Sequence, residues 1–198
     1  GFAMFESKHT DFDIVDYTPY QKDLLKELSD ATKRHGLKLG IYYSTPDWHF
    51  NGPHPERNPV DGKISVFGKV SKANEDFQVA QLEELMTNYG DIVEVFFDMG
   101  EPTLAQSKRF REVVKKYQPN ALINGRVMNN QGDFLTMPDN HVPDSPITDY
   151  PWETPGTFYH TWGYKSWVKG LPLEEQIAVQ VGKLSDIASM GGNFLLNI

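Results

Sequence analysis

The chain has 198 residues, enough to bury most of its apolar surface around one core, and its 39% apolar and 23% charged residues are typical of a globular domain. Its net charge of −8 argues against a nucleic-acid partner, because a phosphate-binding surface needs an excess of Lys and Arg. The absence of cysteine excludes disulfides and thiolate chemistry, and no apolar run approaches the ~18 residues of a transmembrane helix. We therefore predict neither nucleic-acid binding nor membrane insertion.

The first half of the chain alternates predicted helices with a short apolar strand. The Thr-Pro pair at 18–19 is typical of a helix start, and Gly36 of its end. A strand is predicted over 37–44 and an amphipathic helix over 71–89. The segment between them, 45–70, is rich in Pro, Gly, Asn and His, which predicts a long functional loop.

The second half contains the clearest buried strand of the sequence, IVEVFF at 92–97, which ends directly before Asp98. Residues 125–170 show no clear periodicity and contain many Pro, Gly, Asp and Trp residues. The other predicted elements are a helix over 103–117, a strand over 121–124, a helix over 173–190 and a strand from 194 to the end of the chain.

Short apolar strands that alternate with amphipathic helices predict an α/β fold, with a parallel sheet and helices outside it, in a single domain over 1–198. A closed barrel and an open doubly wound sheet both fit this pattern. No glycine-rich loop follows a strand, which argues against a nucleotide-binding fold. Apolar, strand-like segments stand at both ends, 1–5 and 194–198, so we expect the chain to be a piece of a longer protein.

Asp98 is the strongest candidate for chemistry. It directly follows a buried strand, and in barrels of parallel strands the loops after the strands carry the active site. Burying a carboxylate is costly unless the charge is paired or used. The alternative is an aspartate that caps a helix or bonds its own loop, and position alone does not decide between the two.

Chemistry at Asp98 could require a second carboxyl group, as the hydrolysis of a glycosidic bond does. One attacks the anomeric carbon, while the other protonates the leaving oxygen and later activates water. Spacing does not choose among the candidates for the second group, and most of them, taken singly, are explained as solvated loop residues. They are Asp133, Asp139, Asp144, Asp149 and Glu153.

Several other side chains are candidates for substrate contacts. Arg126 follows a predicted strand and can donate to ring hydroxyls or hold a carboxylate, although a surface salt bridge explains it equally well. Tyr42 and Tyr43 alternate across a strand end, so they should face opposite sides of the sheet. Three tryptophans are candidate platforms for sugar stacking, with core packing as the alternative: Trp48, Trp152 and Trp162.

The six histidines do not indicate a metal site. His49 and His54 share a loop, but no HExxH-like spacing is present and no cysteine can contribute a ligand. We therefore predict no metal and no other cofactor.

Seven segments follow one another in an order that is typical of one family. They are GFAMFESKHTDFDIVDYTP, LKLGIYYSTPDW, FFDMGEP, INGRV, GDFLTMPD, PWETPGTFYHTWGY and GGNFLLNI. Each segment alone is weak evidence, whereas the whole set resembles glycoside hydrolase family 29, the α-L-fucosidases.

The resemblance implies a (β/α)-barrel of the TIM type, incomplete in this chain, and a retaining α-L-fucosidase that removes terminal fucose from glycans by a double displacement. It places Asp98 at the nucleophile and Asp139 in the loop that supplies the acid/base, with Glu153 as the second choice. The substrate-binding positions that it implies are Tyr42, Trp48, Arg126 and Trp162.

The implied partner is a fucosylated oligosaccharide or glycoconjugate, and the resemblance leads us to expect a secreted or periplasmic protein. The sugar-binding histidines of relatives precede the region that matches this chain, so the chain alone is expected to be weakly active or inactive. The alternative function is a carbohydrate-binding barrel that has lost turnover. A sugar-processing barrel of another specificity would require the shared segments to be coincidental.

Overall fold

The computed structural model describes residues 1–45, 47, 49, 68–159, 161–170 and 172–198. They form two compact units, Gly1–Gly132 and Asp133–Ile198. Each unit contains a three-stranded sheet in which all neighbouring strands are parallel. The predicted α/β fold with parallel strands is confirmed. The closed barrel and the single domain stay predictions.

The described residues of the first unit form three α-helices and a sheet of three strands in the order β1-β2-β3. In chain order the elements are α1 (Leu24–Arg34), β1 (Leu39–Ser44), α2 (Lys72–Asn88), β2 (Ile92–Asp98), α3 (Leu104–Tyr117) and β3 (Leu122–Ile123). Most of the predicted loop over 45–70 lies outside the described residues.

Helices α2 and α3 begin where the sequence predicts, because each has a strong cap. The Ser71 hydroxyl accepts a hydrogen bond from the Asn74 N–H at 3.2 Å. Thr103 and Gln106 form a capping box, in which each side chain accepts from the backbone N–H of the other.

The predicted start of α1 is wrong. The helix does not begin at Thr18, whose hydroxyl donates to the Ile14 carbonyl at 2.6 Å. Gln21 has a positive φ of 51°, which interrupts helical geometry, and Asp23 is the N-cap, with its carboxylate accepting from the Lys26 N–H at 2.8 Å. Tyr89 also donates its hydroxyl to Asp23 at 2.6 Å, so long-range contacts select this cap.

The predicted strand over 1–5 is reduced to a single bridge, in which Ala3 pairs with Asp13. The Ala3 N–H donates to the Phe12 carbonyl at 3.1 Å, and the Ile14 N–H donates to the Ala3 carbonyl at 2.9 Å. The backbone of this segment therefore bonds to a neighbouring loop, although Ala3 and Phe5 are buried as the sequence predicts.

Strand register separates two faces of the first sheet. Tyr43 pairs with Phe97 across β1 and β2, and both rings point into the core, where Phe97 stacks on Phe110 with centroids 5.8 Å apart. Tyr42 pairs with Phe96, and successive side chains of a strand point to opposite faces. Tyr42, Phe96 and Asp98 consequently share the other face.

The second unit contains β4 (Leu135–Thr136), β5 (Trp152–Thr157), α4 (Leu173–Ser189) and β6 (Asn193–Asn197), with the sheet order β4-β5-β6. The sequence predicts α4 and β6 but not β5, because Pro155 and Gly156 are unfavourable in strands. Packing explains the glycine: a Cβ at position 156 would lie 2.6 Å from the Phe194 ring.

A close contact between Trp152 and Gly192 holds β5 and the segment before β6 together. The buried Trp152 ring lies against Gly192, and a Cβ at position 192 would overlap the indole. Because the side chain of Trp152 is enclosed by close-packed neighbours, it has no free space into which it could move to make room for a methyl group at position 192.

We predict that Gly192→Ala lowers the free energy of unfolding of the intact protein by about 1–3 kcal/mol, as expected for overpacking against Trp152. Gly182→Ala is the matched control, because Gly182 lies in α4 and a Cβ there meets nothing within 4 Å. That control should gain about 0.5–1 kcal/mol from helix propensity. Urea unfolding of both variants checks the prediction, and equal stabilities would contradict it.

Candidate active site

Asp98 is the last residue of β2 and pairs with Ser44 at the end of β1. Its side chain is 17% exposed, and both carboxylate oxygens have donors. The Tyr42 hydroxyl donates to Oδ2 at 2.8 Å, and the Arg126 guanidinium donates to Oδ1 at 3.0 Å. Three of the predicted site residues therefore meet: Tyr42 and Arg126 both donate to the carboxylate of Asp98.

Arg126 reaches Asp98 because a 3₁₀ turn, Gly125–Val127, follows β3 directly. The guanidinium carbon lies 5.5 Å from the centroid of the Phe96 ring, and Tyr42 stacks on the same ring with centroids 5.8 Å apart. Phe96 is therefore the shared support of both donors. This role was not predicted from the sequence, although the position of Phe96 two residues before Asp98 places both side chains on the same face of the strand.

The surroundings of Tyr42 keep its phenol protonated. Tyr42 is 57% exposed, but the partial desolvation of its hydroxyl, together with the hydrogen bond to Asp98 and the charge of that carboxylate, raises the pKa of Tyr42 to about 12. The hydroxyl consequently remains a hydrogen-bond donor at neutral pH. Arg126 supplies the positive charge that balances Asp98.

The backbone turns sharply after Asp98. Met99 has a left-handed φ of 65°, which non-glycine residues rarely adopt. At Gly100 a Cβ would overlap the side chain of Thr45, so only glycine fits there. The strand end and the two residues after it are thus tightly constrained, and such backbone strain is common at functional sites.

In the second unit, Asp139 is exposed on a turn that runs beside β5. The Met137 N–H donates to the Glu153 carbonyl and the Asn140 N–H to the Pro155 carbonyl, both at 2.8 Å. These two bonds fix the backbone on either side of Asp139. Its side chain is accessible to solvent.

Glu153 has a different environment, although it also lies in the second unit. The residue is 2% exposed, and its Oε2 accepts a hydrogen bond from the Asn193 amide at 2.6 Å. The two residues are also paired in the register of β5 and β6. Glu153 thus contributes to the interior of its sheet.

Trp162 is half-exposed and lines a cavity of about 560 Å³ in the second unit, together with Phe158, Tyr159 and Tyr164. Trp48 lies outside the described residues, whereas Trp152 is a buried core residue. The other candidate carboxylates, Asp133, Asp144 and Asp149, are half-buried or exposed loop residues.

The described residues contain neither a candidate metal site nor a candidate membrane span. Within that part of the chain, no group of three or more His, Asp or Glu side chains is arranged to hold a metal ion. None of its helices combines the length and the apolar character needed to cross a membrane.

A family model described as alpha-L-fucosidase matches residues 1–198, the whole chain. The chain belongs to the α-L-fucosidase family. Among solved structures, it is similar to α-L-fucosidase isoenzyme 1 from Paenibacillus thiaminolyticus, with 30% identity and a TM-score of 0.83, over 100% of this chain and 51% of that one.

A variant of α-L-fucosidase AlfC from Lactobacillus casei, in complex with 4-nitrophenyl-α-L-fucopyranoside, is 31% identical with a TM-score of 0.79, over 100% of this chain and 64% of that chain. A curated relative, the putative α-L-fucosidase of Caenorhabditis elegans, is 25% identical over an alignment that covers 100% of this chain and 41% of the relative. The chain thus spans 41–64% of the length of these three family members.

We predict that Tyr42 does not ionise below about pH 11 and that Asp98→Asn lowers its pKa, because the substitution removes the carboxylate charge that opposes a phenolate. The measurement is a pH titration of the ¹³Cζ resonances of labelled tyrosine, with the Tyr42 signal identified by its loss in Tyr42→Phe. A midpoint near 10.0, the ordinary value, in the unsubstituted protein would contradict the prediction.

Proposed function

We propose that this chain is part of the (β/α)-barrel catalytic domain of a retaining α-L-fucosidase, with Asp98 as the nucleophile. The observation that carries the proposal is the carboxylate at the end of β2, which has a phenol on one oxygen and a guanidinium on the other. The match of the α-L-fucosidase model to residues 1–198 supports the substrate class.

In the proposed first step, a carboxylate oxygen of Asp98 attacks the anomeric carbon of an α-L-fucoside. The bond from that carbon to the leaving oxygen breaks, and the acid/base gives the leaving oxygen a proton. A β-linked fucosyl-enzyme forms. In the second step water attacks the same carbon and gives its proton to the acid/base. The bond from that carbon to Asp98 breaks, which restores the carboxylate and releases α-L-fucose with its original configuration.

Tyr42 and Arg126 serve this reaction by holding the nucleophile in one orientation. Each of them donates a hydrogen bond to a different oxygen of the Asp98 carboxylate. They also fix the plane of the carboxyl group relative to β2, which limits the geometries from which attack can start. The phenol stays a donor because the pKa of Tyr42 is about 12.

We propose Asp139 as the acid/base, with Glu153 as the alternative. An acid/base must exchange a proton with water during the second step, and Asp139 is exposed on its turn. Glu153 is 2% exposed and bonded to Asn193, which supports a structural role within the sheet.

The proposed partner is a glycan with terminal α-linked fucose. AlfC variants bind 4-nitrophenyl-α-L-fucopyranoside and Fucα(1,6)GlcNAc, and the relation of this chain to AlfC supports the same class of ligand. The alternative, a carbohydrate-binding protein without turnover, would bind such ligands but leave the glycosidic bond intact.

We predict that Asp98→Ala in the full-length protein lowers kcat for 4-nitrophenyl-α-L-fucopyranoside by about 10⁴-fold or more, because the group that forms the covalent bond is lost. Sodium azide should restore turnover and give β-L-fucosyl azide, identified by NMR, since azide attacks the α-fucoside directly. Asp91→Asn is the control, because Asp91 is exposed at the opposite end of β2. Near-normal activity of Asp98→Ala would reject the proposed nucleophile. If the unsubstituted full-length protein binds fucosides without turnover, the alternative function is supported instead.

We predict that Asp139→Ala lowers kcat for fucosides with poor leaving groups by about 10²- to 10⁴-fold, the usual contribution of an acid/base. The loss in the first step should be smaller for 4-nitrophenyl-α-L-fucopyranoside, whose leaving group needs little protonation. Azide should now trap the fucosyl-enzyme and give the α-configured product. Glu153→Gln, the comparison variant, should mainly lower the melting temperature; if it alone yields α-L-fucosyl azide, Glu153 is the acid/base.

A further inference from the structure

The peptide groups on both sides of Asp98 are hydrogen-bonded by the residues that directly follow β3 and β1, the two strands that flank β2. On one side, the fully buried Asn124 forms two hydrogen bonds with the backbone of Phe97: its amide donates to the carbonyl at 2.9 Å and accepts from the N–H at 2.8 Å. β3 ends at Ile123, so this side chain takes the place of the next backbone pair in the sheet.

On the other side, Thr45 bonds the carbonyl of Asp98 twice. Its N–H donates to that oxygen at 3.0 Å, and its hydroxyl donates at 3.1 Å. Thr45 is 1% exposed, and its own carbonyl accepts a hydrogen bond from the side-chain amide of Gln78 on α2. A buried hydroxyl is therefore directed at the main chain of the proposed nucleophile from a position that is itself anchored.

The two contacts lie on the segments that supply the donors to the Asp98 carboxylate. Thr45 follows Tyr42 by three residues, and Arg126 follows Asn124 by two. A shift of the Asp98 main chain relative to β1 would therefore change the distance between its carboxylate and the Tyr42 hydroxyl.

We propose that Thr45 is a positioning residue for Asp98, acting through its hydroxyl in the α-L-fucosidase reaction. The inference rests on the proposed function. The Thr45 side chain fixes the main chain of the nucleophile, and the carboxylate then meets the anomeric carbon at the required distance. Misplacement of a reacting group by about 1 Å can cost on the order of 100-fold in rate.

The chain offers a well-matched set of variants for the test. Thr45→Val keeps the shape beside Gly100 and removes the hydroxyl, whereas Thr45→Ser keeps the hydroxyl. Thr32→Val is the control, because the Thr32 hydroxyl donates to the Ser29 carbonyl at 2.9 Å within α1, and the substitution makes the same chemical change away from Asp98.

For the full-length protein acting on 4-nitrophenyl-α-L-fucopyranoside, Thr45→Val should lower kcat by about 10- to 100-fold and change KM by less than about threefold. Thr45→Ser should recover most of the loss, and Thr32→Val should match the unsubstituted protein. Melting temperatures are measured for all variants, and Thr45→Ala replaces Thr45→Val if the latter does not fold. Unchanged kcat in the hydroxyl-free variant, or no recovery by serine, would overturn the inference.

A second readout separates positioning from general damage to the fold. In the Asp98→Ala background with azide, the added Thr45→Val substitution should change the rescued rate by less than about twofold, because the group that Thr45 positions is absent. An equal loss in both backgrounds would overturn the inference. If Asp98→Ala alone keeps normal turnover, the proposed function fails; if it is inactive while Thr45→Val is normal, only the positioning role fails.

Discussion

The carboxylate of Asp98 and its two donors form the interaction on which the other features of the first unit depend. A negative charge that is only 17% exposed needs compensation, which the Arg126 guanidinium and the Tyr42 hydroxyl provide at 3.0 and 2.8 Å. Both donors rest on the Phe96 ring, so the charged cluster has an apolar base. A partly enclosed and oriented carboxylate of this kind suits a nucleophile better than a solvated loop aspartate does.

The register between β1 and β2 is the constraint that keeps this cluster together. Side chains alternate along a strand, so Phe96 and Asp98 share a face of β2, and the observed pairing of Tyr42 with Phe96 places Tyr42 on that same face. A slip of one residue in β2 would turn Phe97, which is fully buried, to the face of Tyr42 and would turn Asp98 towards the core. The stacking of Phe97 on Phe110 in the core opposes that slip, and so the apolar packing of one face determines the chemistry of the other.

Local sequence signals, such as helix caps and apolar runs, predicted much of the fold. Contacts between residues far apart in the sequence explain the elements that were predicted wrongly. Ser71 and Thr103 cap helices as the sequence indicates, and the apolar run before Asp98 forms β2. β5 could not be predicted, because its stability depends on pairing with β6 and not on the propensities of Pro155 and Gly156. The sequence predicts site roles for Tyr42, Arg126 and Asp98. The strand register and the hydrogen bonds of the structure are needed to show that the first two meet at the carboxylate of the third. Phe96 was missed because an aromatic residue in a buried strand carries no local sign of its role.

The second unit shows why a shared motif does not by itself assign a catalytic role. The Trp-Glu pair at 152–153 and the Gly-Asn pair at 192–193 pack against each other: the indole fills the space that a side chain at 192 would occupy, and the Asn193 amide bonds the carboxylate of Glu153. These contacts are a sufficient physical reason for both pairs. A carboxylate that is enclosed and bonded in this way exchanges protons with water less readily than one on a surface turn. The turn at Asp139 differs from this environment, because its backbone is bonded on both sides while the residue is exposed, and this access to water is the reason to propose Asp139 before Glu153 as the acid/base.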